Sequence, residues 1–487
     1  MKQYMLLTLL LFAFGCTQQG QPPASGSQFP VSQPPPASYL NYSDGHISFQ
    51  YPDWTSAQTN EEQMFMARMN AGCFFSAAKY PVPPSFYKDV LRQYAGSITE
   101  DGEYVSFSKT DGGNQMNAKL RLVYCNYQTY VISVACANSQ PDSSFNISAE
   151  ITGGNPSVST ILSSVSCAPS QLNTKPKLGM VANPKNDDPA MFMDAIKEAR
   201  ENGVDVLYWY FAWKGLYNNW TVSDYLMEAF SQEGRSAVTL SIIHTNVLGQ
   251  YPDKYFSFSD PGFKEEFSDF AADFAERYHP DYLFVGNEVD DYLYAHRDKI
   301  PAFKEILSET REKVHAVSPD TKVGFTTTYH DAKTNNATDI IVELAPEADL
   351  IGYTAYGYHG MFVFDNVSLG RFMLEDVKNI VPGKPYAIVE TGWSSSSLLS
   401  SSKAKQAEFA EEYFSFVETT DAEFVNWFSL HDGRDCTDAA NSFLTDLPQV
   451  KEDEEFMTVF KEYLCTIGLK MSDGTPKQAW GVWEENT

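Results

Sequence analysis

Positive charge is scarce in this chain: 35 lysines and arginines stand against 63 aspartates and glutamates, a formal net charge of −28 over 487 residues. A field of that sign repels nucleic acid and polyanionic glycans, so the expected partner is neutral and is not a nucleic acid. Phosphate-cradling and dinucleotide-binding glycine loops are missing, as is a Gly-x-Ser-x-Gly elbow, and no cofactor is called for. Long apolar runs are also missing. The only candidate is Met5 to Phe14, which has the length of a signal-peptide core rather than of a bilayer span.

That opening run ends in Gly15-Cys16, after which the chain turns polar. A small residue directly before the cysteine resembles a bacterial lipoprotein signal, which implies lipidation of Cys16 and a chain secreted but anchored to the cell envelope. Residues 1–16 are then signal, and 17–38, rich in Gln, Pro, Ser and Gly, are a tether too polar to fold. Cysteine is sparse, seven in all, and six remain once Cys16 is set aside. They fall as Cys73, Cys125, Cys136 and Cys167, then Cys436 and Cys465, even numbers that imply two disulfides in one part and one in the next. The first four permit three pairings.

Residues 39–170 alternate apolar with polar. Ile47–Tyr51, Val105–Ser108, Leu120–Tyr124, Tyr130–Val134 and Phe145–Ala149 read as strands with one covered face, with helices at Ser85–Ser97 and Ser157–Ser166. Ile-Ser-Phe-Gln-Tyr-Pro, a helix after a cysteine-bearing strand and a closing helix resemble the small α+β sandwich of PsbP- and Mog1-like domains. An accessory role without chemistry follows from that resemblance.

From residue 175 to 487 apolar strands alternate with amphipathic helices at βαβ spacing. The strands are Leu178–Ala182, Val204–Phe211, Ala237–Ile243, Tyr282–Val285, Lys322–Thr327, Leu350–Tyr353, Tyr386–Val389 and Phe424–Ser429, and Glu454–Leu464 is read as the helix that closes the ring. The fold class is therefore α/β: a C-terminal (β/α)8 TIM barrel preceded by a small α+β sandwich domain. Barrels of this kind carry their chemistry where the strands end. Strand four runs into Gly286-Asn287-Glu288 and strand seven into Glu390-Thr-Gly-Trp393. Two glutamates, each capping its own strand, suit cleavage of a glycosidic bond, which needs one carboxyl to protonate the leaving oxygen and one to attack or to activate water. A lone glutamate after a strand is usually a solvated loop residue; two in register are not.

Those motifs, with Trp427 at strand eight, resemble the clan of retaining glycoside hydrolases that carries its carboxylates on strands four and seven. Asp349 to Gly360 is similar to strand six of the arabinogalactan endo-galactanases, and Gly468 to Ala479 to the tail of many such barrels. The resemblance implies Glu288 as acid/base, Glu390 as nucleophile and Asn287 on the sugar 2-hydroxyl. Tyr356 is chosen to hold Glu390, with Tyr353 as the alternative. Trp393 and Trp427 are expected to form a sugar platform, with Trp213 and His244 also on the substrate. His244 and His359 lack metal-ligand spacing and no His-x-His pair marks strand one, so no metal is expected. The clan's arginine near the end of strand two is missing from Tyr208-Trp-Tyr-Phe-Ala-Trp213; either Lys214 replaces it or the site is built differently.

The resulting expectation is a monomeric, endo-acting β-glycoside hydrolase working by double displacement on a neutral β-galactan, β-mannan or β-glucan. The competing readings are a non-catalytic carbohydrate-binding envelope protein on the same scaffold, and a transglycosylase using the same glutamates.

Overall fold

The computed structural model describes residues 39–138, apart from 44–46, 53–55, 59–64, 71–72, 81–82, 112–113 and 126–127, then 162–167 and 175–487, apart from 233, 246–249 and 445–450. The proposed signal, Cys16 and the tether, together with the expected strand Phe145–Ala149, lie outside the described residues. The chain divides into two compact units, Met1–Gln171 and Leu172–Thr487.

The first unit carries β1 (Tyr39–Ser43), β2 (Ile47–Pro52), β3 (Ser56–Gln58), β4 (Phe65–Asn70), β5 (Cys73–Tyr80), β6 (Thr99–Asp101), β7 (Tyr104–Asp111), β8 (Asn114–Cys125), β9 (Gln128–Asn138) and β10 (Ser166–Cys167). They form a seven-stranded antiparallel sheet, ordered β3-β4-β5-β9-β8-β7-β6, and a smaller sheet β1-β2-β10. Alternation decides which face is covered: Phe75 and Ala77, Val123 and Cys125, and Tyr130, Ile132 and Val134 all point into one core with Ile47, Phe49 and Leu162. The helix Pro84–Ala95 stands close to the expected Ser85–Ser97. Of the expected helix Ser157–Ser166, the end is corrected. Ser166 belongs to β10, which pairs with β2, and its neighbour Cys167 is tied to Cys125 by a disulfide. Cys73 and Cys136 are directly opposed partners on β5 and β9.

The second unit is a closed barrel of eight strands: β11 (Lys175–Met180), β12 (Val204–Ala212), β13 (Arg235–His244), β14 (Tyr282–Asn287), β15 (Lys322–Thr328), β16 (Leu350–Thr354), β17 (Tyr386–Thr391) and β18 (Val425–Trp427). Each pairs in parallel with the next, and β18 returns to β11. The strands are continuously apolar because helices cover them outside while Val206, Tyr208, Phe284, Leu350, Ala387, Val389 and Phe424 fill the inside. Every residue of β14 is buried.

One expected element has a different role. Glu454–Cys465 is helical, but it does not close the ring. Its Phe456, Phe460 and Tyr463 line a cavity at the barrel mouth, and the outer layer is completed by Gln478–Asn486. Trp483 of that last helix is fully buried, stacks on Tyr413 and donates to the Asn202 carbonyl at 3.0 Å. The segment between the two helices is fixed by buried polar groups. Lys477 donates to Asp432 at 2.6 Å, and Gln406 donates to the carbonyls of Trp393 and Gly468 at 2.8 and 3.0 Å. Lys477 and the Gln406 amide nitrogen are paired in this way, while the Gln406 Oε1 is buried without a partner among the described residues.

Candidate active site

Glu288 and Glu390 meet in one cavity of about 650 Å³ over the C-terminal ends of the barrel strands. The local sequence explains how β14 delivers its glutamate. Gly286 takes a φ of +74°, and a side chain there would bring its Cβ to 2.5 Å from Val289. Only glycine fits, and the next turn of backbone places Glu288 itself at φ +50°. A non-glycine residue held in the left-handed region carries strain that persists where surrounding structure fixes it. Here that structure is a threonine frame: the Glu288 N–H donates to Thr326 Oγ1 at 2.8 Å, and the Thr245 N–H donates to the Asn287 carbonyl at 2.9 Å.

The two carboxyls have different surroundings. Glu288 accepts hydroxyl hydrogen bonds at both oxygens, from Thr245 at 2.7 Å and Thr354 at 2.8 Å. Glu390 accepts one, from the phenol of Tyr356 at 3.0 Å. Burial pushes both above the usual carboxylate range, but the threonines pull Glu288 back. Glu390, half-buried and facing the charge of Glu288 with a single phenol to offset it, is pushed up to about 8 by desolvation first and that charge second. Two acids that repel in a poorly solvated site titrate as a pair.

Thr354 and Tyr356 link the pair, since both follow from β16. Thr354 is the register partner of Glu390 while donating to Glu288. The alternative phenol, Tyr353, is buried against Tyr386 and does not line the cavity. Asn287 lines the cavity with its Oδ1 accepting from Thr326 at 3.1 Å. His244 also lines the cavity, its ring 4.5 Å from that of Tyr210, and burial pushes it down to about 4, so it is neutral.

The tryptophans expected on the substrate are elsewhere. Trp393, Trp427 and Trp213 are each fully buried, and none lines the cavity. Trp393 stacks on Phe409 and donates to Ser401 at 2.8 Å; Trp427 packs against Tyr413 and donates to the Ile467 carbonyl at 3.2 Å. Trp213 sits among Phe263, Phe267 and Tyr255 beneath the helix Phe263–Tyr278. All three are core rings. The residue after Trp427, Phe428, is the one that lines the cavity.

A different aromatic surface takes their place. Tyr358, Phe362, Phe456, Phe460 and Tyr463 form one wall, with Phe362 stacked on Tyr463 at 4.6 Å and on Phe460 at 5.6 Å. The spacing of Phe456, Phe460 and Tyr463 puts them on one helix face, and this stripe was the available signal. The Cys436–Cys465 disulfide ties the C-terminal end of that helix back toward β18.

Lys214 does not replace the missing arginine, being half exposed and paired with Asp253. No lysine or arginine lines the cavity among the described residues. At the end of β12 stand Tyr208, whose phenol is 2.7 Å from Thr239, and Tyr210, which donates to Gln250 at 2.7 Å.

No protein-family model matches this chain, and no curated relative matches its sequence. Solved structures do resemble it. A GH5_18 protein from Streptomyces cattleya in complex with GlcNAc is 15% identical over 64% of this chain and 80% of its own, with a TM-score of 0.45. The exo-β-1,4-mannosidase of Opitutaceae bacterium strain TAV5 is 15% identical over 66% and 62%, with a TM-score of 0.46. The GH53 catalytic domain of Ignisphaera aggregans is 14% identical over 65% and 96%, with a TM-score of 0.43. At these identities the likeness is one of fold.

Proposed function

We propose that this chain is a retaining, endo-acting β-glycoside hydrolase that cleaves a neutral polysaccharide of the β-galactan, β-mannan or β-glucan type. The observation that carries the reading is the pair of half-buried glutamates that end β14 and β17, brought into one cavity with separate hydroxyl partners and both raised by desolvation, Glu390 also by the charge of Glu288. In double displacement Glu390 attacks the anomeric carbon while Glu288 protonates the leaving oxygen; Glu288 then takes a proton from the water that releases the glycosyl group. The reaction needs one proton between the two acids, carried by Glu288. A bound sugar that donates a hydroxyl hydrogen bond to Glu390 favours its anion and moves the proton to Glu288. In this reading Asn287 bonds the sugar 2-hydroxyl, a contact that strengthens as positive charge grows on the ring. We propose further that Cys16 is lipidated and holds the protein at the cell envelope; replacing Cys16 by serine is then expected to release it into the medium.

The test is reducing-sugar release from a panel of β-galactan, β-mannan and β-glucan. Wild type releases sugar from at least one of them, Glu390→Gln from none, and both bind that glycan alike. Binding without release by the wild type would instead identify a carbohydrate-binding protein. Longer products at high oligosaccharide concentration would identify a transglycosylase.

A further inference from the structure

Double displacement leaves one acid of the cavity without a task. Asp331 belongs to the short helix Tyr329–Thr334, which follows β15 directly, and it lines the cavity beside His330. The end of β15 is bound to the residues around Glu288. Thr328 donates to Asp290 from both its N–H and its hydroxyl at 2.8 Å, and Thr326 accepts from the Glu288 N–H. Asp331 is therefore held on the side of the acid/base, whereas Glu390 stands two strands further round the ring. The electrostatics agree: the charge of Asp331 raises Glu288, while the charge that raises Glu390 is that of Glu288.

The carboxylate of Asp331 is half-buried and makes no side-chain hydrogen bond or ion pair among the described residues. A partly desolvated carboxylate facing an open cavity is an acceptor without a donor, and filling it recovers what burial costs. Beside it the ring of His330 lies 4.7 Å from that of Tyr358, and both line the cavity. Burial lowers His330, against the charge of Asp331, and burial raises Asp331, against His330. With three acids and no lysine or arginine among the described lining, a ligand carboxylate is repelled and a donor of hydroxyl hydrogen bonds is preferred.

We propose that Asp331, with the rings of His330 and Tyr358, forms the subsite for the leaving-group sugar, Asp331 accepting hydrogen bonds from that sugar's hydroxyls while the rings cover its C–H face. This rests on the hydrolase reading above. The leaving sugar is then a neutral, hydroxyl-bearing residue, and Asp331 contributes to choosing it rather than to breaking the bond.

The experiment compares two probes for the wild type, Asp331→Asn and Asp331→Ala: the tetrasaccharide of whichever β-galactan, β-mannan or β-glucan is cleaved, and the methyl glycoside of its disaccharide, whose leaving group needs the same proton from Glu288 but carries no sugar hydroxyl. The ratio of kcat/KM on the tetrasaccharide to that on the methyl glycoside falls about tenfold or more in Asp331→Ala, the loss of a hydrogen bond to a charged group. It falls less in Asp331→Asn, which keeps one acceptor and the same shape. Equal losses on both probes would mean that Asp331 acts only through Glu288, and no loss would mean that it meets no sugar; either overturns the proposal. If the wild type cleaves neither probe, the hydrolase reading itself has failed and this inference falls with it.

Discussion

The phenol of Tyr356 donates to Glu390 at 3.0 Å, the one hydrogen bond that offsets burial and the charge of Glu288 at this carboxyl. Its worth should be visible in the rate. A hydrogen bond to a charged group contributes about 1.5–3 kcal/mol. Tyr356→Phe raises Glu390 further, so a smaller share of the singly protonated pair has its proton on Glu288. The expected result is a fall in kcat/KM of about 10–100-fold, each 1.4 kcal/mol being roughly tenfold. Tyr353→Phe changes kcat/KM little, because that phenol is packed against Tyr386 outside the cavity. Steady-state kinetics of the two variants on one substrate decide it, and equal losses would place the support elsewhere.

Glu390 also makes stability depend on pH in a direction opposite to that of a salt-bridged acid. Desolvation and the charge of Glu288 push its carboxyl up to about 8 in the folded chain, against 4.5 ordinarily. A raised acid favours the folded state below its unfolded value, and that contribution is lost as pH rises through the folded one. Glu390→Gln removes the charge that burial opposes. Its Tm is therefore expected to exceed that of wild type by a few degrees at pH 9, with the gap closing by pH 4. A gap that widens toward acid would show that Glu390 is a stabilised anion instead.

The aromatic wall, not the buried tryptophans, should set affinity. Phe460 lines the cavity and stacks on Phe362, and a stacked ring contributes about 0.5–1.5 kcal/mol beyond the area it covers. Phe460→Ala is expected to raise KM on polysaccharide about 2–10-fold with kcat largely kept. Trp393→Phe acts on the fold, since its ring is packed on Phe409 and its indole N–H bonds Ser401. Its signature is a lower Tm with an unmoved KM. The reverse pattern in the two variants would restore the tryptophan platform.

The barrel and its two glutamates were legible because their signals are local and strong. Runs buried on both faces read as continuous apolar strands, and the abrupt Gly286-Asn287-Glu288 and Glu390-Thr391-Gly392 endings mark where they stop. The sugar platform was misplaced by following the resemblance to the tryptophans. Alternation counted from the inward-facing Phe424 reaches Phe428, not Trp427, and Phe428 is the residue at the cavity. The helix Glu454–Cys465 presents apolar residues at the spacing of an outer barrel helix, and sequence periodicity cannot say whether that stripe meets the barrel wall or a cavity. Asp331 carried no motif at all. Its interest comes from a tertiary fact, that the end of β15 is tied to Glu288.

The Cys436–Cys465 disulfide connects this periodicity problem to function. It joins residues 29 apart in sequence, and that span includes the helix bearing Phe456, Phe460 and Tyr463. Closing a loop of that size restricts the unfolded chain by about 3–4 kcal/mol in the loop-entropy account. In the folded protein the same bond anchors one end of a helix that stands over the cavity rather than against the barrel wall. Its loss should therefore loosen the wall while Glu288 and Glu390, held by threonines and Tyr356 on the strands, keep their geometry. The Cys436→Ser, Cys465→Ser double variant is expected to show a lower Tm and a raised KM for polysaccharide, with kcat close to wild type. A matching fall in kcat would mean that the wall also positions the reacting carboxyls, for which Tyr463, buried beside Tyr356 at 5.5 Å between ring centres, is the connecting residue.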